Sequence, residues 1–565
     1  MIDSKVHPIQ MEVVGHSFIS IAEEMSATLQ RTAYSSIVRE ALDFSTAVFD
    51  GEGNLIAQSD NIPTHLGSMG GTLKQILAHH YRKEEIFEGD QLIINHPYMG
   101  ASHTPDMLLF APVFIDDTLV GFCGSMCHHV DVGGSAPGSA PGDATELYQE
   151  GLLIPPLKLY EKGEENKTIT SIIKANVRMP DYTLGDLRSQ ISANEIGKKR
   201  MFNLYKKYST EVVEQIIKAW ADYSEERIRK KIKEIKVGTY SASGHLDDDG
   251  VVKNQPIKLE AKITIEPDKI VYDFTGCSEQ VKGPFNVTKE TVNAVAYFVT
   301  RCITDASVPQ NEGAFKAVEV KLKKGTILNP AFPAPVSGRY HTIMRLSDIC
   351  LEALSQALPD LIPAASNAHA TTVAIGGRNP RTEDYFVYFE LNGGGMGARP
   401  TKDGLSGIDV HVGNCMNVPI ESAELEYPIR FQKYELHQDS GGMGEYRGGL
   451  GITREIKMLE DHLTLTVRGD AETTEPKGYH GGLNGRPAQK ILNPGTKEER
   501  RLYGKATGLA VNKGDILYFE TPGSGGYGSP SNRSVEKAVM DWKDGYISKN
   551  SLKEVYNIHV DDKKK

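Results

Sequence analysis

The amino-acid sequence predicts a mixed α+β protein with several domains. Its 565 residues exceed what one hydrophobic core supports, so about two to four domains are expected. Apolar residues at helical spacing alternate along the chain with strand-like segments of period two, which indicates helices and sheets in every part. Glycine, at 55 residues, clusters in the second half and indicates tight turns and close backbone contacts there.

The first part of the chain is predicted to combine hairpins with long helices. Its pattern predicts, in order, a helix over 9–33, a hairpin around Asp50–Gly53, a helix over 71–82, strands from Gln91 and Met107, and two helices over 184–236 that are interrupted near Tyr208. The last two helices, rich in Lys, Glu and Arg, form a natural end for an N-terminal α+β domain. We place that domain, which contains the candidate metal site, at residues 1–236.

The remainder is predicted to be richer in strands. Its elements are a β-meander over 238–276, helices over 289–303 and 346–357, strands "FQKYEL", "GITREIKML" and "LTLTVRG", a single helix in the last 35 residues over 534–543, and a solvated tail "DDKKK". These patterns predict mixed β-sheets in two further domains. We expect a middle α+β domain at 237–390 and a glycine-rich, β-dominated C-terminal domain at 391–565.

Composition excludes several classes of protein. The formal net charge of -11 argues against nonspecific binding to nucleic acid or to an acidic membrane surface, both of which need a basic face. No apolar window approaches the ~18 residues of a membrane span, and the N-terminus has no signal-peptide pattern. Six scattered cysteines do not form a disulfide scaffold, so Cys123 and Cys127 are interpreted as buried thiols. A reducing cytoplasm is therefore the expected location.

Metal-ligand side chains concentrate in "HTPDMLLFAPVFIDDTLVGFCGSMCHHVDVGG". Two apolar runs flank the polar residues 116–118, which predicts a β-hairpin. If the loop has three residues, Ile115 faces Leu119, and Asp106 then faces His128. Directly opposed residues point to one face with Cβ atoms about 4.5–5.5 Å apart, close enough to share a cation. A two-residue turn would instead place Cys127 opposite Asp106.

His103 lies three residues before Asp106 and can fold back onto the same place. Together with His128 these residues offer two imidazoles and a carboxylate, a donor set that suits Zn, Mn or Fe(II). A plain hydrogen-bonded His–Asp pair across the strands remains the alternative. Adjacent residues of a strand point to opposite faces, so His128 and His129 do not easily bind the same ion.

Several long blocks resemble the hydantoinase B/oxoprolinase family. They include "IPTHLGSMGGT", "HTPD", "HHVDVGGSAPGS", "ATELYQEGLLIPPLKL", "ANVRMPDYTLGDLRSQISANEIG" and "YRGGLGITRE", and the resemblance spans essentially the whole chain. That family includes one subunit of ATP-dependent N-methylhydantoin, 5-oxoproline and caprolactam hydrolases, and related subunits of acetone and acetophenone carboxylases. The resemblance implies a hetero-oligomer in which a hydantoinase A-type partner binds ATP and phosphorylates the carbonyl oxygen of the substrate.

The resemblance also implies a metal site. Its ligands would be an aspartate of the "LDFS" block, the His and Asp of "HTPD" and a His of "HHVDVGG", which are Asp43, His103, Asp106 and His128. His129 is the second choice for the last ligand. Family members commonly have Asn-Asp-Pro-Tyr where this chain reads "NHPY", so His96 is expected to alter the pocket or to add a ligand.

Other motifs do not indicate a nucleotide site in this chain. The sequence contains no G-x-x-x-x-G-K-[ST], in agreement with ATP binding by a partner. The stretch "NGGGMGA" fits a dinucleotide fingerprint superficially, but a proline and "TKDG" follow where a helix should begin. The segment "HLDDDG" lacks the spaced ligands and closing Glu of an EF-hand loop, so a hairpin turn is the better interpretation.

The expected chemistry is the opening of a cyclic amide. An unstrained amide resists water, phosphorylation of its oxygen activates it, and a water activated at the metal site would attack the activated carbon. Candidates for the general base, or for a partner that orients a ligand, are Asp131, Glu146 and Glu150; His65 is a candidate pocket residue. The alternatives are a subunit of a ketone carboxylase and a non-catalytic scaffold for the ATP-binding partner.

Overall fold

The structure is a computed structural model that describes residues 6–65 and 67–560. The predicted tail "DDKKK" lies outside these residues. No helix within the described ranges is long and apolar enough to span a membrane.

The helices largely follow the predicted pattern. The α-helices of the described residues are α1 (Pro8–Thr32), α2 (Ser36–Arg39), α3 (Ser68–His79), α4 (Lys167–Asn176), α5 (Pro180–Tyr208), α6 (Thr210–Ile232), α7 (Lys289–Ile303), α8 (Glu312–Phe315), α9 (Arg339–Ser355), α10 (Ile420–Glu426), α11 (Val535–Lys543) and α12 (Lys549–Glu554). The predicted interruption near Tyr208 is confirmed, because α5 ends there and Ser209, with φ 65°, separates it from α6.

Two helix predictions were wrong in detail. Helix α9 begins at Arg339, seven residues before the predicted start, because its first turns bury the polar side chains of Arg339, His341 and Arg345, which give no apolar stripe. The last 35 residues contain α12 as well as α11, so the prediction of a single helix there was incomplete. Helix α12 is short and buries only Leu552, so its pattern is weak.

The strands form four sheets in the described part of the chain. They are β1 (Phe44–Asp50), β2 (Leu55–Gln58), β3 (Gln91–Ile94), β4 (Asp106–Ile115), β5 (Thr118–His128), β6 (Leu157–Glu161), β7 (Glu164–Glu165), β8 (Gly238–Leu246), β9 (Ile257–Ile265), β10 (Ile270–Asp273), β11 (Val318–Lys321), β12 (Thr371–Arg378), β13 (Tyr385–Asn392), β14 (Ile429–Leu436), β15 (Ile452–Met458), β16 (Leu463–Arg468), β17 (Gln489–Leu492), β18 (Arg500–Arg501), β19 (Lys505–Val511) and β20 (Ile516–Glu520). The fold is therefore multidomain α+β, as predicted.

The first sheet is antiparallel, with strand order β2-β1-β5-β4-β3-β6-β7, and both of its faces are covered. One face packs on α1, α5 and α6, where Phe18, Val48 and Met201 belong to a common apolar core. The other face, which includes Phe49 and Phe110, packs on α3 and joins the core of the β8–β11 sheet and of α7 and α9. This second face of the sheet therefore packs against the middle part of the chain, which contains β8–β11, α7 and α9.

The β4–β5 hairpin differs from the predicted one at its tip. Its turn has two residues, Asp116 and Asp117, both with positive φ (46° and 64°), so the three-residue loop was wrong. Thr118 pairs with Ile115, but the register then shifts by one residue at a β-bulge between Val113 and Phe114. From the bulge to the open end, the pairing is the predicted one, and Asp106 lies directly opposite His128.

The other sheets have the orders β11-β10-β9-β8, β13-β12-β16-β19 and β14-β15-β20-β17-β18. The last two share an apolar core that includes Val373, Ile456 and Phe519. Close backbone packing beside them requires glycine, since a Cβ at Gly449 would lie 1.8 Å from the Leu405 carbonyl oxygen. The domain boundaries at 236/237 and 390/391 stay predictions.

Candidate metal centre

Three neighbouring strands of the first sheet bring candidate ligands to one end. Asp106 is the first residue of β4 and lies opposite His128, the last residue of β5. Asp43 immediately precedes β1, and its carbonyl oxygen accepts a hydrogen bond from the His128 backbone N–H at 3.0 Å. Because opposed residues of adjacent antiparallel strands point to the same face, the three side chains form a row across the sheet.

His103, Asp106 and His128 form a compact group of donors. One ligand atom from each lies within 4.8 Å of the other two, and all three side chains are buried. His103 Nε2 lies 3.1 Å from Asp106 Oδ1, and the centroids of the two imidazole rings are 5.0 Å apart. The ring of His128 also stacks on Phe389 of β13 at 5.1 Å, so a second sheet fixes its orientation.

An arginine from the middle part of the chain completes the immediate surroundings. Arg339, at the N-terminus of α9, donates from Nη2 to Asp106 Oδ2 at 2.8 Å and from Nε to the Ser102 hydroxyl. Burial raises the pKa of Asp106, but its interactions with His103, which include a hydrogen bond, and with the charged Arg339 outweigh burial and hold this pKa well below its usual range. The Asp106 carboxylate is therefore ionised and held in one orientation.

The two histidines of the group are neutral. Burial, together with the charge of Arg339, lowers the pKa of His103 to about 4, and burial beside His103 lowers the pKa of His128 well below its usual range. Burial and the nearby Asp106 charge raise the pKa of Asp43 to about 8. Neutral imidazole is the form that binds a metal, so the histidines need no deprotonation for this purpose.

Asp43, His103 and His128 line a small cavity of about 30 Å³. A water molecule needs roughly 10–15 Å³, so the cavity has room for about two or three water molecules or for an ion. The walls come from all three parts of the sequence and include Asp43, His65, His103, His128, Ser337, Arg339 and Arg468. Asp43 faces the same cavity but is not part of the compact group of three donors.

Two more predicted residues lie at or beside this cavity. His65 is buried in its wall, with Nδ1 2.9 Å from the Ser45 hydroxyl, and burial lowers its pKa to about 4. Glu150 is buried, and its Oε1 accepts hydrogen bonds from the backbone N–H groups of Val336 (2.8 Å) and Ser337 (2.7 Å). Burial raises the pKa of Glu150 to about 7 despite these bonds.

The structure does not bring Asp131 and Glu146 into the cavity wall. The Asp131 carboxylate accepts four hydrogen bonds, from the backbone N–H groups of Gly133, Gly138 and Arg178 and from Nη1 of Arg178, at 2.9–3.0 Å. It thereby holds the 131–139 loop against the start of α5 and has no acceptor position left for substrate. Glu146 is exposed at the start of a 3₁₀ turn.

The two other histidines of interest also lie outside the cavity wall. His129 points away from His128, as expected for adjacent strand residues, and its Nε2 lies 3.1 Å from Gln190 Oε1. His96 stacks on Phe332 at 5.7 Å and accepts at Nδ1 from the Tyr98 backbone N–H. His96, the residue that departs from the common Asn-Asp-Pro-Tyr pattern, therefore contacts an aromatic ring and does not line the cavity.

Sequence analysis missed the residues that come from distant parts of the chain. Arg339, Ser337, Phe389, Cys415 and Arg468 line the cavity, yet none of them lies in a ligand-like motif. The one usable signal was Arg468 in "LTLTVRG", a charged residue at the end of a strand whose other side chains are mostly buried. Local sequence patterns do not predict which strand ends lie close together in the folded protein.

Comparison with known proteins gives the family. The Hydantoinase B/oxoprolinase family model matches residues 7–530. The chain belongs to the hydantoinase B/oxoprolinase family. An uncharacterised protein of Methanocaldococcus jannaschii is 40% identical, with 98% of this chain and 96% of that protein covered. 5-Oxoprolinase 1 of Arabidopsis thaliana is 34% identical over 92% of this chain, but only 42% of the plant protein is covered.

A solved structure of this family supports the fold. The ATP-dependent caprolactamase of Pseudomonas jessenii superposes with a TM-score of 0.92 at 29% identity, with 100% of this chain and 98% of that chain covered. The multidomain α+β architecture is thus that of a hydantoinase B/oxoprolinase family member. The family is related to ATP-dependent hydrolases of cyclic amides.

Proposed function

We propose that this chain is the metal-bearing subunit of an ATP-dependent hydrolase that opens a cyclic amide of the hydantoin, 5-oxoproline or lactam type. The observation that carries the proposal is the buried, compact group of His103, Asp106 and His128. Two imidazoles and a carboxylate suit Zn²⁺, Mn²⁺ or Fe²⁺. Membership of the hydantoinase B/oxoprolinase family and the similarity to a caprolactamase support a cyclic amide as the substrate.

The side chains fit a metal ion in two further respects. The Nδ1 atoms of His103 and His128 are buried and have no hydrogen-bond partner among the described residues. Asp43 is held partly protonated by burial and by the charge of Asp106, and a cation in the cavity would favour its ionised form. Asp43 is therefore proposed as the fourth ligand beside the group of three.

Each side chain of the cavity has a distinct role in this proposal. His103, His128, Asp106 and Asp43 would hold the metal, and Arg339 fixes the orientation of Asp106. When bound, a divalent metal supplies Lewis acidity, which polarises a carbonyl oxygen and lowers the pKa of a water molecule. The proposed ligands and Arg339 are buried, which strengthens the charge interactions between them.

Glu150 is the predicted general base that the structure supports best. Its Oε1 is fixed by two backbone N–H groups, while Oε2 is buried and has no partner among the described residues. Its pKa of about 7 suits a group that takes up and returns a proton near neutral pH. His65 is proposed as a pocket residue; Asp131 and Glu146 are proposed for structural roles only.

The proposal includes an ATP-binding partner. The chain has no phosphate-binding G-x-x-x-x-G-K-[ST] motif, and it matches less than half of a longer 5-oxoprolinase. A hydantoinase A-type subunit would transfer the γ-phosphoryl group of ATP to the amide oxygen. One water molecule would then cleave the ring C–N bond and a second would release phosphate, leaving a carboxylate and the freed nitrogen group. We place this hetero-oligomer in the cytoplasm, where ATP is available.

The test uses the chain co-purified with an ATP-binding partner subunit. Hydantoin, 5-oxoproline and caprolactam are each supplied with ATP, and ADP and the ring-opened product are measured in parallel with incorporation of labelled bicarbonate into a ketone. Stoichiometric ADP and ring-opened product support the proposal. ATP-dependent incorporation of bicarbonate, without ring opening, would replace it by a carboxylase function.

Elemental analysis of the purified chain is the companion measurement. About one equivalent of Zn, Mn or Fe is expected in the natural chain and in His79→Ala, because His79 is exposed at the end of α3. The His103→Ala variant is expected to lose the metal. If all three preparations lack metal even after co-expression with the partner, the histidines are structural and the catalytic proposal fails.

A further inference from the structure

All but one of the buried cationic side chains of the described residues form an ion pair with a carboxylate. Eight arginine and lysine side chains are buried among the described residues. Seven lie within 4.0 Å of a carboxylate oxygen: Arg339, Arg345, Arg447, Arg454, Lys490, Lys505 and Arg533. Arg468 has no such partner in the part of the chain that the structure describes.

The contacts of Arg468 do not replace an ion pair. Its Nη1 donates to the Ser337 hydroxyl at a long 3.4 Å, and its Nε is buried without any partner among the described residues. Glu150 interacts with Arg468 electrostatically but forms no ion pair with it among the described residues, and burial raises the pKa of Glu150 to about 7, so its carboxyl group is only partly ionised near neutral pH. Burial lowers the pKa of Arg468 to about 10, so the guanidinium remains charged at neutral pH.

An unpaired buried charge is expensive for a folded protein, and a guanidinium is the preferred partner of planar or tetrahedral oxyanions. Arg468 lines the same cavity as His103 and His128, with Ser337 and Arg339 in the adjoining wall. The cavity wall therefore contains a fixed positive charge that an anionic occupant would compensate more fully than the partly ionised Glu150 does.

We propose that Arg468 anchors an oxyanion of the molecule bound in this cavity, either a phosphoryl group or a carboxylate, next to the candidate metal ligands. The Ser337 hydroxyl would be a further contact of that oxyanion. The inference rests on the proposed function and deepens it, because it specifies that the molecule bound in this cavity carries a negatively charged group. Arg468 would act as a binding residue for the phosphoryl group of an activated amide, or for a carboxylate that the substrate carries itself.

The test measures anion binding by the metal-free chain. After dialysis against a chelator, thermal melting is followed with inorganic phosphate, with acetate and with chloride at matched ionic strength. Binding of an anion to the folded state raises the melting temperature in proportion to its occupancy. A response to phosphate assigns the site to a phosphoryl group, and a response to acetate alone assigns it to a carboxylate.

Three variants make the result specific. Arg468→Gln is expected to weaken the anion response at least about tenfold in apparent Kd, while Arg468→Lys retains part of it. Arg430→Gln removes an exposed arginine of β14 and is expected to respond like the natural chain. Without anion, Arg468→Gln is expected to melt at the same or a higher temperature than the natural chain, because it removes an uncompensated charge.

Three results would overturn the inference. The first is an unchanged anion response in Arg468→Gln, and the second is no response of the natural chain to either anion. The third is a lower melting temperature of Arg468→Gln without anion, which would make the guanidinium a structural group. Ring-opening assays of the complex separate this question from the proposed function. If anion binding depends on Arg468 but the complex opens no ring, the proposed hydrolase function is refuted and the inference about Arg468 is not.

Discussion

Two buried polar residues of the segment Ser125–Gly134, His128 and Asp131, lie three positions apart and have opposite surroundings. His128 faces a cavity, is close to two other metal-ligand side chains and has a ring nitrogen without a partner among the described residues. Asp131 is equally buried, but its carboxylate accepts four hydrogen bonds at 2.9–3.0 Å. The same short motif therefore contributes one residue suited to binding and one suited to holding the backbone.

The comparison shows that burial alone does not distinguish the two roles. Buried polar groups are normally paired, because an unpaired one loses its interaction with water without compensation. Unpaired groups that gather around one cavity, as those of His103, His128 and Arg468 do here, indicate that an occupant supplies the missing interactions. Fully paired groups such as Asp131 indicate a structural role.

The largest expected effect separates the adjacent histidines. His128→Ala is expected to lose the metal and to lower ring opening by the complex roughly 10³-fold or more, since a metal contributes several kcal/mol to the transition state. His129→Ala is the matched control, because His129 is buried but contacts Gln190 outside the cavity. Metal content and turnover are measured for both variants. Metal lost from His129→Ala and kept in His128→Ala would reverse the assignment.

The next effect concerns stability rather than metal. Asp131→Ala leaves several buried backbone N–H groups without an acceptor and is expected to lower the free energy of unfolding by about 3–4 kcal/mol. Urea denaturation of the natural chain and the variant gives this value. The folded variant should keep its metal, because Asp131 does not line the cavity. A stable variant that has lost its metal would contradict the structural role.

A pH-dependent effect is expected from Glu150. Burial raises its folded pKa from 4.5 to about 7, so the folded protein binds this proton more tightly than the unfolded chain does. The contribution of this proton to the free energy of unfolding is fully present below about pH 4.5. It is lost as the pH rises through 7, and the total loss is roughly 3 kcal/mol.

Glu150→Gln tests this pH dependence without disturbing the contacts. The glutamine oxygen can still accept from Val336 and Ser337, so stability relative to the natural chain should increase between pH 5 and pH 8. Urea denaturation at both values measures the difference. Equal pH profiles of the two proteins would show that Glu150 does not titrate in this range.

The smallest expected effect is at the tip of the hairpin. Asp117 adopts φ 64°, where glycine is less strained, so Asp117→Gly should raise the free energy of unfolding by about 0.5 kcal/mol. Because the bulge near Val113 sets the pairing of Asp106 with His128, metal content should not change. Thermal melting and elemental analysis check both statements. A loss of metal would show that the tip, not the bulge, determines the register.

Local patterns in the sequence determined most of the secondary structure. The interruption between α5 and α6, helix α7 and the hairpin of β4 and β5 all follow from periodicity and turn residues, because these features depend on neighbours in the chain. The donors His103, Asp106 and His128 were also identified from the residue types and the strand pattern. Their convergence in the structure agrees with that expectation.

The register of the hairpin shows where local reasoning stops. The predicted pairing of Asp106 with His128 is confirmed, although the assumed three-residue loop is wrong, because a bulge offsets the shorter turn. A bulge depends on how both faces of a strand pack against the rest of the protein. Residue order along a strand does not reveal it.

The sequence by itself thus determined the elements, the family resemblance and three candidate ligands. Only the tertiary structure decided that Arg339 fixes Asp106, that Phe389 packs on His128 and that Arg468 lies in the same cavity without an ion pair. These residues are hundreds of positions from the hairpin, so their contacts arise when separate sheets and helices pack together. Which sheets and helices pack together depends on the shape and burial of whole faces, and no local sequence pattern predicts it.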